Sequence, residues 1–303
     1  MGILKSFYYV LQDIVLLAFV FYLDLPTPLH AITAGCLMWS LFVIGHDCGH
    51  GSFSKHRAVN DIVGHLLHGC LLVPYYPWQL SHSHHHRYHM HKDKDMSHKW
   101  SADDDVGGDY GVHSIWLLPA YLPIYLYLGM FDGSHIMPNS KLFTDQRERI
   151  ECVMSTAWCL VNVAVITWYF NYNVSAIFHY YTLPWFVFVS LIYIISYLHH
   201  HDIDTTVYDN TSWTFKAGAE ETIDLSYGWF FDRLFHHITD CHKIHHYRSK
   251  IPHYDLVAES KKAGYEPKHQ LGNFGWLPYF YRVYSQTQTL HRQESVYKFK
   301  HNQ

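Results

Sequence analysis

The sequence predicts an all-α integral membrane protein with four transmembrane helices in two hairpins and a cytosolic helical cap. Of its 303 residues, 49% are hydrophobic and only 16% are charged, whereas soluble domains carry about 25% charged residues. Two long runs, 152–170 and 178–198, contain no Asp, Glu, Lys or Arg. The 28 histidines outnumber the 22 lysines and arginines, and many of them cluster just outside the apolar runs.

Each apolar run is long enough to cross a bilayer, since about 20 apolar residues span the ~30 Å hydrocarbon core. Residues 171–177 between the two runs leave room only for a turn, so 152–198 is predicted to be a membrane hairpin. A second hairpin, 7–45, is predicted around the proline-containing turn 24–28. Its first apolar run is the weaker of the pair because Asp13 interrupts it.

The lysines and arginines predict the orientation of these helices. One precedes the first hairpin, nine lie between the hairpins, twelve follow the second, and the two turns contain none. Cytosolic loops carry the excess of positive charge, so the N-terminus, segment 46–150 and segment 199–303 are predicted to be cytosolic. With the hairpins they form a single domain, 1–303. Two proline-broken apolar patches, 62–78 and 112–130, are interpreted as interfacial or re-entrant helices, with six spans as an alternative.

The histidines form three motifs on the predicted cytosolic side. The first has the form H-x-x-x-H, the other two contain H-x-x-H-H, and a further group, 199–201, follows the last apolar run. On a helix, these spacings place imidazoles on one face. Eight histidines exceed the roughly three protein ligands of a mononuclear catalytic site, which indicates two metal ions. The eight are His46, His50, His82, His85, His86, His242, His245 and His246.

The motifs alone do not identify the metal, because imidazole suits iron, copper, zinc and nickel. A single H-x-x-x-H is commonly an ordinary polar pattern, and residues 46–50 also resemble the H-E-x-x-H of zinc peptidases with Asp in place of Glu. Two copies of H-x-x-H-H on one side argue against coincidence. Eleven of the other histidines are interpreted as bystanders, neighbours of ligands or ordinary polar residues: His30, His56, His65, His68, His84, His89, His91, His98, His113, His135 and His179.

Charge and patterning also weigh against other classes of protein. A net charge of −4 gives no basis for nucleic-acid binding. A histidine-rich metal transporter remains the alternative outside the enzymes, but it should carry ionisable residues inside its spans. The last two runs contain only His179 of that kind.

The order of the motifs resembles the membrane fatty acid desaturase family, most closely the methyl-end branch that contains the Δ12 and ω3 enzymes. The resemblance covers roughly residues 45–256. It implies an enzyme with two iron ions that uses O₂ to insert a cis double bond into a fatty acyl lipid or acyl-CoA. No His-Pro-Gly-Gly haem motif is present, so a separate electron donor, cytochrome b5 or ferredoxin, is implied. The matching stretches are 45–54, 73–82, 94–98, 214–215, 222–224, 227–228 and 251–256.

Carried over to this sequence, the resemblance implies that the eight motif histidines are iron ligands. His200 is the best match for a further ligand at the exit of the last span, and His236 is implied as a ligand or a neighbour of one. Three carboxylates are candidates to hydrogen-bond the ligands: Asp47, Asp224 and Asp240. No catalytic side chain beyond the metal ligands is expected.

Within the branch, ω3 insertion is favoured over Δ12, because the first motif carries Asp47 where plant Δ12 enzymes tend to have Glu. An acyl hydroxylase or acetylenase on the same scaffold is the alternative enzyme. The expected location is the endoplasmic reticulum membrane, with the histidine motifs facing the cytosol. The basic residues Lys92, Lys94 and Lys99 are interpreted mainly as a solvated loop and, as an alternative, as a docking site for the donor.

Overall fold

The computed structural model describes residues 2–98, 100–104, 118–129, 132 and 134–299, and within these ranges it is mostly helical, as predicted. Four of the described helices are long and apolar enough to cross a membrane: α1, α2, α6, and a continuous helix in which a π-helical turn, Phe178–Thr182, joins α7 to α8. The helices are α1 Ile3–Tyr22, α2 Thr27–His50, α3 Arg57–Cys70, α4 Tyr75–Tyr88, α5 Leu118–Leu128, α6 Gln146–Tyr169, α7 Val174–Ile177, α8 Leu183–His200, α9 Phe215–Glu220, α10 Trp229–Leu234, α11 His242–Tyr247, α12 His253–Ala263 and α13 Gly272–Gln286.

The four long helices differ in how much of their apolar surface the protein covers. Leu11 of α1 is 62% exposed, and Leu160 and Trp168 of α6 are 66% and 68% exposed. Large apolar surfaces of this kind are rare on soluble monomers and suit contact with lipid. By contrast, α2 is buried along most of its length and packs against α1, α3 and α8. It forms the centre of the membrane region.

Helix α2 has clear signals at both ends. Pro28 lies in its first turn, where its fixed φ is favourable and its missing N–H has no consequence. Gly51 ends the helix in the left-handed conformation, with φ of 69°, and its N–H donates to the carbonyl of Cys48. The helix therefore continues beyond the apolar run and carries His46 and His50 in its last turns.

The apolar patch 62–78 folds as α3 and α4 with a tight turn between them. At this turn, the Trp185 indole donates to the Leu71 carbonyl at 2.9 Å, and the Tyr181 hydroxyl donates to the Cys70 carbonyl at 2.7 Å. Carbonyls at a helix end need such donors where water is excluded. Both donors belong to the last of the four long helices, so these contacts hold the turn against that helix.

The second apolar patch, 112–130, is only partly described. Its helix α5 contains an internal proline, Pro123, and packs against α8. The rest of the patch, including His113, lies outside the described residues.

Short strands depart from the all-α expectation. In one sheet, β5 (Val296–Phe299) lies between β1 (Thr206–Tyr208) and β4 (Leu290–Gln293) with antiparallel pairing on both sides. In a second sheet, β2 (Leu225–Ser226) pairs with β3 (His269–Gln270) in parallel. The local cause is visible in β5, where Tyr297 and Phe299 are buried and alternate with more exposed residues. Bridges from His91 to Tyr208 and from Ala102 to Leu290 attach the 91–102 segment to this sheet.

Candidate metal centre

Four helices from distant parts of the chain bring their histidines to one place. The ends of α2 and α8 arrive from the membrane region, while α4 and α11 carry the two H-x-x-H-H motifs. All nine histidines predicted as ligands lie in this cluster: His46, His50, His82, His85, His86, His200, His242, His245 and His246.

The larger group contains five histidines, each with one ring nitrogen within 4.8 Å of the others: His46, His50, His82, His86 and His245. The Nε2 atoms of His46 and His50 are 3.2 Å apart. Those of His82 and His86 are 3.1 Å apart, and those of His86 and His245 are also 3.1 Å apart. Three helices thus direct nitrogen atoms to a common point.

The smaller group contains His85, His200 and His246, again with ring nitrogens within 4.8 Å of one another. The Nε2 atoms of His85 and His200 are 3.1 Å apart. His242 adjoins this group, with its Nε2 3.1 Å from that of His246. The rings of His86 and His246 stack at 4.1 Å, so the two groups are immediate neighbours.

The donor set fits metal cations. A neutral imidazole offers one N–H and one lone pair, yet here many Nε2 atoms face one another, and hydrogen bonds between them cannot satisfy a whole group of converging lone pairs. Burial, followed by the charge of neighbouring imidazoles, holds the pKa of His82, His86, His245 and His246 well below the usual range. These rings are therefore neutral at physiological pH, which is the form that binds a metal. Imidazole sets of this kind suit iron, copper, zinc and nickel.

Asp95 is a buried partner of the cluster that the sequence analysis missed. Its carboxylate lies 2.9 Å and 3.0 Å from Nδ1 of His85. Burial opposes ionisation of Asp95, but the charge and hydrogen bond of His85 outweigh it and lower the pKa. An ionised carboxylate only accepts, so Nδ1 donates and Nε2 is left to face the cluster. The signal was available, because Asp95 lies within the stretch 94–98 that carried the resemblance.

The structure also changes the interpretation of His98 in the same stretch. It was treated as an ordinary polar residue, but its ring lies 5.0 Å from that of His85 and 4.7 Å from that of His200. Burial lowers its pKa to about 3. His98 is therefore a neutral neighbour of the smaller group.

Asp47 is the predicted carboxylate that faces the ring of a predicted ligand, His46. One oxygen accepts from both the backbone N–H and Nδ1 of His253, at 2.9 Å and 2.8 Å, and the other lies 3.8 Å from Nδ1 of His46. The 3.8 Å separation between Asp47 and Nδ1 of His46 is too long for a hydrogen bond. Asp47 thus fixes His253 directly and faces His46 across a gap.

The other two carboxylates bond elsewhere. Asp240 lies 3.0 Å from Nδ1 of His237, which is not a predicted ligand. Asp224 accepts from the backbone N–H of Lys243 at 2.6 Å, and burial raises its pKa to about 7. Asp224 thereby stabilises the first turn of α11 rather than an imidazole.

The bystander histidines of the second motif lie outside both groups. His84 is half-exposed on the opposite side of α4 from the cluster histidines. His89 is buried, with its Nδ1 2.9 Å from the carbonyl of His86. His91 lies 3.2 Å from the side-chain oxygen of Asn210. The structure thus brings His82, His85 and His86 of this motif into the cluster, and not these three histidines.

His236 also lies outside both groups and has a different partner. Its Nε2 is 2.6 Å from a carboxylate oxygen of Asp13, and the two residues are 4% and 1% exposed. Its ring contacts that of His253 at 4.4 Å. A buried chain therefore runs from Asp13 through His236 and His253 to Asp47, beside the first motif. The carboxylate that weakened the first apolar run has a specific partner, as expected for an ionisable residue in a membrane helix.

Comparison with known proteins agrees with this site. The sequence profile of the family described as fatty acid desaturase matches residues 25–276. An omega-3 fatty acid desaturase of Caenorhabditis elegans is 36% identical, covering 88% of this chain and 70% of the relative. A Δ12 fatty acid desaturase of the same organism is 35% identical, covering 84% and 72%. The acyl-lipid omega-3 desaturase (cytochrome b5), endoplasmic reticulum, of Arabidopsis thaliana is 36% identical, covering 89% and 72%.

These matches confirm the predicted resemblance, including its methyl-end branch, and they favour a desaturase over the hydroxylase, acetylenase and metal-transporter alternatives. They extend over most of this chain and most of each relative. This chain therefore belongs to the fatty acid desaturase family and is an oxidoreductase of the membrane.

Proposed function

We propose that this desaturase uses O₂ and two iron ions to insert a cis double bond toward the methyl end of an unsaturated acyl chain, with ω3 favoured over Δ12. The observation that carries the proposal is the pair of adjacent histidine groups, since five and three converging imidazoles exceed the needs of one metal. The proposed ligands are His46, His50, His82, His85, His86, His200, His242, His245 and His246.

The overall reaction converts –CH₂–CH₂– to –CH=CH– while one O₂, two protons and two electrons are consumed and two water molecules form. The bound irons supply the activation of O₂ that removes the two hydrogens. Asp95 orients His85 through Nδ1. The Trp78 ring stacks on His82 at 4.7 Å, and Phe42 packs on Trp78 at 5.1 Å. Aromatic rings therefore cover this side of the larger group, where they exclude water and offer an apolar wall to the acyl chain.

The topology proposal retains two hairpins, 7–45 and 152–198, with the cytosolic segments 46–150 and 199–303 in one domain. It is supported by the ends of α2 and α8, which meet at the histidine cluster and so belong on the same side of the membrane. It is also supported by the lysines and arginines, all of which lie in the segments proposed to be cytosolic and none in the two turns. The name of the Arabidopsis relative supports the endoplasmic reticulum, an acyl-lipid substrate and cytochrome b5 as donor. Acyl-CoA and ferredoxin are the alternatives.

Epitope tags should report this topology. Tags placed at either terminus, or in the segment 92–105, are expected to be cleaved by protease added to sealed microsomes, because all three positions are proposed to be cytosolic. A tag in the turn 24–28 should be protected and serves as the control. Protection of any of the first three tags would contradict the four-span arrangement.

Product analysis in yeast tests the proposed reaction. Cells that express the protein are fed oleate or linoleate, and fatty acid methyl esters are analysed for the position of the new bond. Conversion of linoleate to α-linolenate is expected, because the methyl-end branch is the one that this chain matches. Conversion of oleate alone, to linoleate, would replace ω3 with Δ12. A new bond on the carboxyl side of the existing ones would reject methyl-end insertion.

A further inference from the structure

A basic depression on the protein surface reaches the larger histidine group at His50. It has a volume of about 500 Å³, and its lining includes Lys55, Arg57, Asp61 and Lys250. The three basic residues are exposed. Arg57 pairs with Asp61 at 3.4 Å, whereas Lys55 and Lys250 have no salt bridge to any residue that the structure describes. The depression therefore carries surplus positive charge beside a proposed metal ligand.

We propose that this depression is the docking site of the electron donor, an acidic one-electron carrier protein. The inference rests on the proposed function, in which each double bond requires two electrons that the chain cannot supply. His50 lines the depression and also belongs to the larger histidine group. A donor docked here places its redox group against a ligand of the metals. The unpaired lysines attract an acidic partner and increase its rate of association.

An anionic headgroup on the acyl substrate has similar charge but fits this position less well. Insertion toward the methyl end places the reacting carbons many methylenes from the carboxyl group. The headgroup of such a chain lies far from the metals, whereas His50 is in contact with both the depression and the cluster. An electron donor must dock close to the metals, whereas the headgroup of this substrate lies far from them.

The basic residues Lys92, Lys94 and Lys99 form the other docking site suggested by the sequence, and Lys99 lies outside the described residues. Lys92 lies over the Tyr297 ring at 5.2 Å and within 3.8 Å of an Asp93 carboxylate oxygen, so its charge is engaged within the protein. Lys94 is exposed and lies 5.8 Å from the centre of the Tyr88 ring. Lys94 does not line the depression, and it therefore provides a matched control for charge reversal.

Charge reversal tests the proposal. The Lys55→Glu/Lys250→Glu and Lys94→Glu variants of the full chain are reconstituted in vesicles. The soluble haem domain of cytochrome b5 and, separately, ferredoxin serve as probes, and both direct binding and turnover with the matching reductase are measured. The double variant should raise the Kd and the donor KM on the order of tenfold and weaken their dependence on ionic strength. It should raise the donor KM more than it lowers kcat, while the KM for the acyl substrate stays unchanged. Lys94→Glu should have none of these effects.

Three results would overturn the docking site: an increased KM for the acyl substrate with unchanged donor binding, loss of donor binding in Lys94→Glu but not in the double variant, or failure of the unaltered protein to bind either probe. The binding measurement does not depend on turnover. If the protein produces no desaturated acyl chain, the proposed function fails, while the comparison of Kd values still decides the docking site.

Discussion

Replacement of either His85 or His245 by alanine is expected to abolish the desaturated product while the protein stays inserted in the membrane. His85 belongs to the group of three imidazoles and His245 to the group of five, so the two changes remove a proposed ligand from different groups. Neither residue lies in a membrane-spanning helix. Because a catalytic metal site uses about three protein ligands, loss of one should empty the smaller group and weaken the larger.

The measurements are product analysis in yeast and metal analysis of the purified protein. The unaltered chain is expected to contain about two irons and little zinc, as a pair of catalytic sites requires. His84→Ala is the matched control, since His84 lies on the same helix as His85, α4, but outside both histidine groups. One zinc with no iron would contradict the iron proposal. Full iron content and full activity in both variants would reject these two ligand assignments.

The histidine cluster could be predicted from the sequence because the spacing within each motif is a local pattern. Within each motif, helical spacing alone places the imidazoles on one face, and the two H-x-x-H-H motifs do occur on helices, α4 and α11. The approximate positions of the long helices were also local information, since each is a long apolar run. The real α2 continues past the predicted boundary at residue 45 and ends only at Gly51, because a helix ends at its cap rather than at the edge of the lipid.

Pairs of residues that meet across the fold could not be predicted in this way. Asp13 pairs with His236, which is 223 positions away, and Asp47 pairs with His253, which is 206 positions away. No spacing rule connects residues so far apart in sequence. Asp13 was interpreted only as an interruption of an apolar run. An ionisable residue in a membrane helix nevertheless indicates a specific partner. The two small sheets were missed because their strands are short.

The Asp13–His236 pair leads to the second large expected effect, which is on stability. Asp13→Leu should reduce the stability of the folded protein by about 1–3 kcal/mol, because it leaves a buried ring nitrogen of His236 without its hydrogen-bond partner. The double variant Asp13→Leu/His236→Leu should recover much of this loss, since an apolar pair of similar volume removes the uncompensated polar group. The detergent-solubilised variants are heated, and size-exclusion chromatography measures the fraction that stays folded at each temperature. The shift in unfolding temperature between the variants reports the change in stability.

Gln12→Leu is the matched control, because it introduces the same side chain one position away, at a half-buried residue whose amide donates to Asp13 only a long hydrogen bond of 3.4 Å. This variant should unfold at the temperature of the unaltered protein. The pair also connects through His253 to Asp47 and hence to the first motif, so the single variant is expected to lose iron and the control is not. If the double variant is no more stable than Asp13→Leu, the loss of stability comes from the new leucine and not from the unpaired His236. In that case, the buried chain between the first membrane helix and the histidine cluster would have no energetic role.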